Sequence, residues 1–348
     1  LAILFAANAN FGLILGADTL SLPIGRLATT DSAQDVGILK VCCLPRSRTG
    51  VTVARSVRDA IRGHTMKCTI IGLGAMGLPM AKRLLQAGVA VTGFDVTDRR
   101  CAALVDAGGR ATDSVVAAAD GADIVIVMVI NAVQAHAVVA SLAGALATEA
   151  LVVLGATVSP HDARALAKLV PGHLFLDAPV SGGVAGAESG RLAIMASGSD
   201  EALAKATPVL HHLGRIYRVG SEVGQGSLVK AVNQLLCGVH IIAAAEAFAF
   251  ARSAGVDPNI LMEVIGAGAA QSSMFTTRAP RMRDNDFTAK SAIQLFTKDL
   301  AIVLDATRDA GVPAFLTATA LQVFQAAVVR GLAEADDSAV VQVYEQIA

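Results

Sequence analysis

Between residues 67 and 176, short apolar runs alternate with segments whose apolar positions recur at helical spacing. Lys67–Gly72 (KCTIIG), Val89–Phe94, Ile124–Ile130, Leu151–Leu154 and Leu174–Leu176 read as short buried strands. The stretches between them read as helices, the first over Leu78–Ala87 and closed by Gly88. This βα alternation predicts a doubly wound sheet. From Gly224 the pattern becomes one unbroken apolar helix, GQGSLVKAVNQLLCGVHIIAAAEAFAFARSAG, ending at Gly255. Beyond it the chain stays helical, punctuated by Pro258, Gly266, Gly268, Pro280 and Pro313, with little strand signal. The expected fold class is therefore α/β, a doubly wound sheet over residues 66–228 followed by an all-α domain over residues 229–348.

The first strand runs straight into Gly72-Leu73-Gly74-Ala75-Met76-Gly77 and then into the first helix. In that setting each glycine has a distinct reason. The first permits a tight turn, the second lets the backbone approach a pyrophosphate, and the third lets helix and strand pack closely. The free N–H groups of the helix N-terminus face the phosphates. The second strand ends in Asp95, at about the distance where a carboxylate takes the ribose hydroxyls of NAD, so a Rossmann domain is expected. Asp95 favours NAD over NADP because it would repel a 2′-phosphate, although Arg99 and Arg100 follow closely and are placed to bind one. Asp95 also suits the N-cap of the helix Thr97–Ala107, and the two roles are compatible. Ligands of such sheets sit at the carboxyl ends of the strands, which places Asn131 and Thr157 beside the cofactor. For either residue alone, capping a loop explains its presence equally well.

Composition narrows the function classes. The chain has 348 residues, 54% hydrophobic and 16% charged, with 32 glycines, enough for two domains whose helices are buried on several sides. That suits large interfaces and a homo-oligomer. A formal net charge of −1 and the lack of a basic stripe interleaved with aromatics argue against nucleic acid as a partner. Cys42, Cys43, Cys68, Cys101 and Cys237 form no Cys-x-x-Cys pair, so no metal is expected and reduced thiols in the cytoplasm are the default. Leu1–Ala17 is apolar but broken by Asn8 and Asn10, and Arg46, Arg48, Arg55, Arg58 and Arg62 follow it. Residues 1–65 are expected to be an extension without function or translated upstream sequence, with Met66 as the natural start; a targeting segment is the alternative.

Two further segments carry chemistry. Asp177-Ala178-Pro179-Val180-Ser181-Gly182-Gly183 ends in a hydroxyl and two glycines whose N–H groups suit a carboxylate. On spacing alone an ordinary glycine turn is the simpler account, and Asp177 reads as a turn cap. In the long helix, Lys230, Asn233 and Gln234 stand at i, i+3 and i+4 and share a face near the helix start. Partial desolvation and the positive end of the helix dipole both favour a neutral amine, able to take a hydroxyl proton as a general base. A surface lysine beside a polar cap is the competing account. Lys230, Asn233, Gln234, His240, Glu246 and Arg252 make the helix unsuited to lipid, so no membrane partner is expected. His240 reads as a buried core residue, and His211 and His212 as a solvated helix end. Ser272, Ser273 and Arg278 fit ligand contact or capping equally. Phe296-Thr297-Lys298-Asp299-Leu300 places a charged pair within an apolar helix, where it needs a partner.

GLGAMG, DAPVSGG, the Lys230 helix and FTKDL, in this order, resemble the 3-hydroxyisobutyrate dehydrogenase family of β-hydroxyacid dehydrogenases over nearly all of Met66–Ala348. The resemblance implies a Rossmann domain followed by an all-helical domain, NAD as cofactor, a small hydroxy-carboxylic acid as substrate, and a dimer or tetramer. It further implies that Lys230 is the catalytic lysine, that Ser181, Gly182 and Gly183 bind the substrate carboxylate, and that Lys298 lies against the nicotinamide. The family has Asn four residues after its catalytic lysine; here that position is Gln234, with Asn233 before it. QLLCGVHIIAAAEAFA, GAAQSSMF and DDSAVVQVY resemble the branch of that family that oxidises the 2-hydroxyl of L-threonate to 2-dehydro-L-erythronate. The alternatives are oxidation of 3-hydroxyisobutyrate, reduction of tartronate semialdehyde, and a catalytically silent nucleotide-binding module.

Overall fold

A computed structural model describes residues 66–345; the expectations for residues 1–65 lie outside them. Six parallel strands form the first part of the sheet: β1 (Lys67–Ile71), β2 (Ala90–Phe94), β3 (Arg110–Ala111), β4 (Ile124–Val127), β5 (Leu151–Leu154) and β6 (Leu174–Asp177). Their order, β3-β2-β1-β4-β5-β6, reverses direction beside β1. β7 (Val180–Ser181), β8 (Leu192–Ser197) and β9 (Gly214–Gly220) extend the sheet beyond β6, with β8 antiparallel to β6 and β7 and parallel to β9.

Alternate residues of the central strands enter different cores, and this is why those strands read as continuous apolar runs. Ile124 and Ile126 pack with Met80 and Leu84 of α1 (Gly77–Gln86). Val125 and Val127 pack on the other face with Val139 and Leu142 of α4 (Ala132–Leu142) and Leu166 of α5 (Pro160–Ala167). The helices α2 (Asp98–Asp106), α3 (Val115–Ala119), α6 (Gly183–Ser189) and α7 (Asp200–Leu210) complete this half.

Register fixes what lies at the carboxyl edge. Ile71 pairs with Phe94 and with Val127, Val127 with Leu154, and Leu154 with Asp177. The residues that follow these strands, Gly72, Asp95, Asn131 and Thr157, therefore emerge along one edge, with Asp177 closing the row.

The long helix is α8 (Gln225–Ser253), 29 residues without interruption. The boundary expected at 228/229 thus falls within its first turns. By length and composition α8 passes as a membrane span, yet half of its most apolar window is buried inside the protein. It packs in a second core with α10 (Ser273–Asp284), α11 (Ile293–Asp309) and α12 (Phe315–Val329). A Cβ atom at Gly238 would lie 2.8 Å from Leu300 Cδ2, so glycine lets α8 and α11 approach closely. α9 (Pro258–Ala267), a 3₁₀ turn (Asp337–Val341) and α13 (Gln342–Glu345) finish the helical half.

Candidate active site

Two of the three glycines of the first βα turn are held to glycine by neighbouring backbone. Gly72 adopts φ +97°, and a Cβ there would lie 2.3 Å from the Met128 carbonyl oxygen. A Cβ at Gly77 would sit 1.8 Å from the Gly72 carbonyl oxygen, so only glycine lets α1 start this close to β1. At Gly74 nothing lies within 4 Å of a Cβ, leaving the open approach that a pyrophosphate needs. No side chain caps α1, whose N-cap position is Met76. Asp95 is buried, and its carboxylate accepts from Leu73 N at 2.8 Å and Thr97 N at 2.9 Å, with Arg100 3.3 Å away. The carboxylate thus braces the glycine loop as well as standing where ribose hydroxyls are expected. The residues present fit a dinucleotide.

Lys230 is only 7% exposed. Its Nζ donates to Gln234 Oε1 at 2.8 Å, as the i, i+4 spacing on α8 allows. The same carbonyl accepts from Asn233 Nδ2 at 2.9 Å, and Gln234 Nε2 donates to Asp299 Oδ2 at 2.6 Å. Asp299 Oδ1 lies 2.6 Å from Lys298 Nζ, a charge contact outside hydrogen-bonding direction. Lys298 Nζ in turn donates to the Thr157 carbonyl oxygen at 2.9 Å. A continuous polar path therefore leads from the Lys230 amine through α11 to the loop after β5. Burial depresses the Lys230 amine below the ordinary lysine range; the Asp299 carboxylate and Cys237 oppose the shift, and Lys298 adds to it.

The α8 N-terminus lacks a local side-chain cap, since Gly224 occupies the N-cap at φ +101°. Asp177, fully buried at the end of β6, caps it from a distance. Oδ2 accepts from Gly224 N at 2.9 Å and Ser227 N at 2.8 Å, and Oδ1 accepts from Ser227 Oγ at 2.8 Å. Ser197 Oγ donates to Asp177 at 3.3 Å and accepts from Gly226 N at 2.8 Å. Burial pushes the Asp177 carboxyl above its ordinary range against the pull of these donors. Asp177 is thus the start of the long helix's scaffold and not a turn cap. Its carboxylate offsets the positive end of α8, and burial is the largest cause acting on the Lys230 amine.

The model described as the NAD binding domain of 6-phosphogluconate dehydrogenase matches residues 67–224. The model described as NAD-binding of NADP-dependent 3-hydroxyisobutyrate dehydrogenase matches residues 224–344. An L-threonate dehydrogenase of Cupriavidus necator is 43% identical over 80% of this chain and 96% of its own length. The chain belongs to the 3-hydroxyisobutyrate dehydrogenase family. A 2-(hydroxymethyl)glutarate dehydrogenase of Eubacterium barkeri is 36% identical, covering 81% of this chain and 96% of that one. The crystal structure of a 3-hydroxyisobutyrate dehydrogenase from Salmonella typhimurium superposes with a TM-score of 0.74 at 36% identity, covering 80% of this chain and 99% of that one. As a member of the 3-hydroxyisobutyrate dehydrogenase family, the chain is an NAD-dependent hydroxyacid dehydrogenase.

Within this family member, hydrogen bonds and one ion pair at Asp299 link Lys230, Asn233, Gln234, Lys298 and the Thr157 carbonyl into one cluster. Gly72–Gly77 and Asp95 form another, at the carboxyl edge of β1 and β2. Asn131 follows β4 and caps α4, accepting from Gln134 N at 2.9 Å. Ser181, Gly182 and Gly183 lie on β7 and the start of α6, with Gly182 at φ +134° and Gly183 at φ +62°. Among the described residues no direct hydrogen bond joins them to Lys230; the link runs through β6, Asp177 and the first turn of α8. Several expectations are revised. Thr97, not Asp95, holds the N-cap position of α2, and His240 is half-buried. Of the two readings held equal for Ser272, capping is the one seen, at the start of α10, and Arg278 forms a two-pronged pair with buried Asp337. Asp299, Asp177, Ser197 and Ser227 were not singled out as site residues. A charged pair inside an apolar helix was the one signal for Asp299; nothing local marks Ser197 or Ser227.

Proposed function

We propose that Lys230 is the general base of an NAD-dependent oxidation of L-threonate at its 2-hydroxyl, giving 2-dehydro-L-erythronate. The observation that carries this reading is a buried, depressed amine tied through Gln234, Asp299 and Lys298 to Thr157, at the carboxyl edge where the dinucleotide is expected. In this reading residues 66–228 are the NAD-binding domain, which also lends Ser181–Gly183 to the substrate, and residues 229–348 are the substrate and oligomerisation domain, which also lends Lys298 to the cofactor. The Ser181 hydroxyl and the Gly182 and Gly183 N–H groups hold the substrate carboxylate. Lys230 takes the hydroxyl proton while Gln234 holds Nζ in place; Asn233 and Gln234 are the amides nearest the reacting alcohol. Gly72, Leu73, Gly74, Ala75, Met76 and Gly77 receive the pyrophosphate, Asp95 the ribose, and Asn131, Thr157 and Lys298 flank the nicotinamide end. When bound, NAD supplies the hydride acceptor.

The choice of L-threonate rests on the Cupriavidus necator relative and on Gln234, where the family carries Asn. Oxidation of 2-(hydroxymethyl)glutarate or 3-hydroxyisobutyrate is the second reading, favoured by relatives so named. NADH formation measured across L-threonate, D-erythronate, D-glycerate, 2-(hydroxymethyl)glutarate and 3-hydroxyisobutyrate separates the two. Lys230→Ala should lower turnover by about 10²- to 10⁴-fold with NAD affinity nearly unchanged; full turnover in that variant refutes the base. The neutral amine is required, so oxidation should slow as pH falls through the lowered Lys230 value. A cytoplasmic homodimer or homotetramer completes the proposal. Leu228, Val232 and Leu236 form an exposed apolar stripe on the first turns of α8, opposite Lys230, suited to a second copy.

A further inference from the structure

Beside Lys230 lies a buried carboxylate that the proton-transfer step does not use. Asp299 presents one oxygen to Gln234 Nε2 and the other to Lys298 Nζ, each at 2.6 Å. An ionised carboxylate offers only acceptors. Gln234 must therefore turn its NH₂ toward Asp299, which leaves its carbonyl for Lys230 and Asn233. With the amide reversed, carbonyl would meet carboxylate, and NH₂ would meet the donors of Lys230 and Asn233. Both contacts are repulsive. With one N–H held by Gln234, the neutral amine keeps its lone pair free for the substrate hydroxyl.

Resting on Lys230 as the proton acceptor, we propose that Asp299 is a positioning residue: it fixes which end of Gln234 meets Lys230, and it supplies the negative charge against which that amine gains and loses its proton. Among the described residues, few charged and titratable groups surround Lys230. α11 contributes Asp299 and Lys298, α8 contributes Cys237, and the Arg278–Asp337 pair stands behind Cys237 from α10 and the 3₁₀ turn. At the helix start, β6 contributes Asp177. Asp299 favours the ammonium and Lys298 disfavours it. Neutralising Asp299 leaves burial and Lys298 acting together, so the amine should lose its proton at lower pH. Neutralising Lys298 should do the reverse.

The test uses the full chain without substrate. Trace acetylation of Lys230 by acetic anhydride across pH, quantified by peptide mass spectrometry, reads the amine directly. Asp299→Asn should lower the labelling midpoint by about one pH unit or more, with the acidic limb of kcat/KM moving the same way. Asp299→Glu, which keeps the charge, should bring the midpoint back toward the parent. Lys298→Met should raise it, and this variant serves where Asp299→Asn does not fold. A midpoint that stays in place or rises in folded Asp299→Asn overturns the role of Asp299, as does a midpoint that fails to rise in Lys298→Met. Because labelling needs no turnover, these results are separable from the base assignment, which fails only if Lys230→Ala retains full activity.

Discussion

Two helix N-termini at the carboxyl edge of the sheet are finished in opposite ways. α1 begins on a glycine loop with no side-chain cap and open space at Gly74. α8 begins on another glycine, Gly224, yet its first turn is filled by Asp177 and Ser197. The same property, unpaired N–H groups at the positive end of a helix, is kept for a ligand in the first case and consumed by the protein's own carboxylate in the second. The open terminus leaves room for a ligand. The closed one fixes where Lys230 stands relative to the sheet.

Three substitutions break or sharpen that contrast. Gly77→Ala should have the largest effect. A Cβ 1.8 Å from a carbonyl oxygen forces α1 away from β1, and NAD affinity measured by calorimetry should fall by about 100-fold or more. Near-parental affinity would mean that the open terminus does not depend on this close approach. Next, Asp177→Ala leaves several donors at the closed terminus without a partner, a loss of about 2–4 kcal/mol that should lower Tm by about 5–10 °C. NAD affinity of the folded variant should stay near the parent's, since α1 is untouched; an equal loss of NAD binding would erase the distinction between the two ends. Smallest is Gly74→Ala, where the new methyl meets open space. Tm should hold while NAD affinity drops by about tenfold, and an unchanged affinity would place the pyrophosphate elsewhere.

Much of the parallel half was legible because its signals are local. Continuous apolar strands, GLGAMG and Asp95 lie within one βαβ unit, and β5 begins and ends at the residues expected. β3, β7, β8 and β9 were not. β3 and β7 are two residues each, β8 (LAIMAS) is rich in alanine with one methionine, and β9 (GRIYRVG) carries two arginines and buries none of its residues fully. Such segments become strands through the neighbours they pair with. Lys230 and Gln234 were legible as an i, i+4 pair. Asp299 lies 65 residues from Gln234, and no periodicity connects them.

By itself the sequence determined the helical and strand periods, the glycine turn that only a close backbone approach explains, and the spacing that sets a lysine and an amide on one helix face. These are properties of a dozen consecutive residues or fewer, governed by sterics and side-chain geometry. The tertiary structure alone decided that Asp177 closes a helix 47 residues ahead of it, that Asp299 turns the Gln234 amide, and how deeply the Lys230 amine is buried. Each of those outcomes depends on which distant charges and donors are excluded from water together. Only packing establishes that.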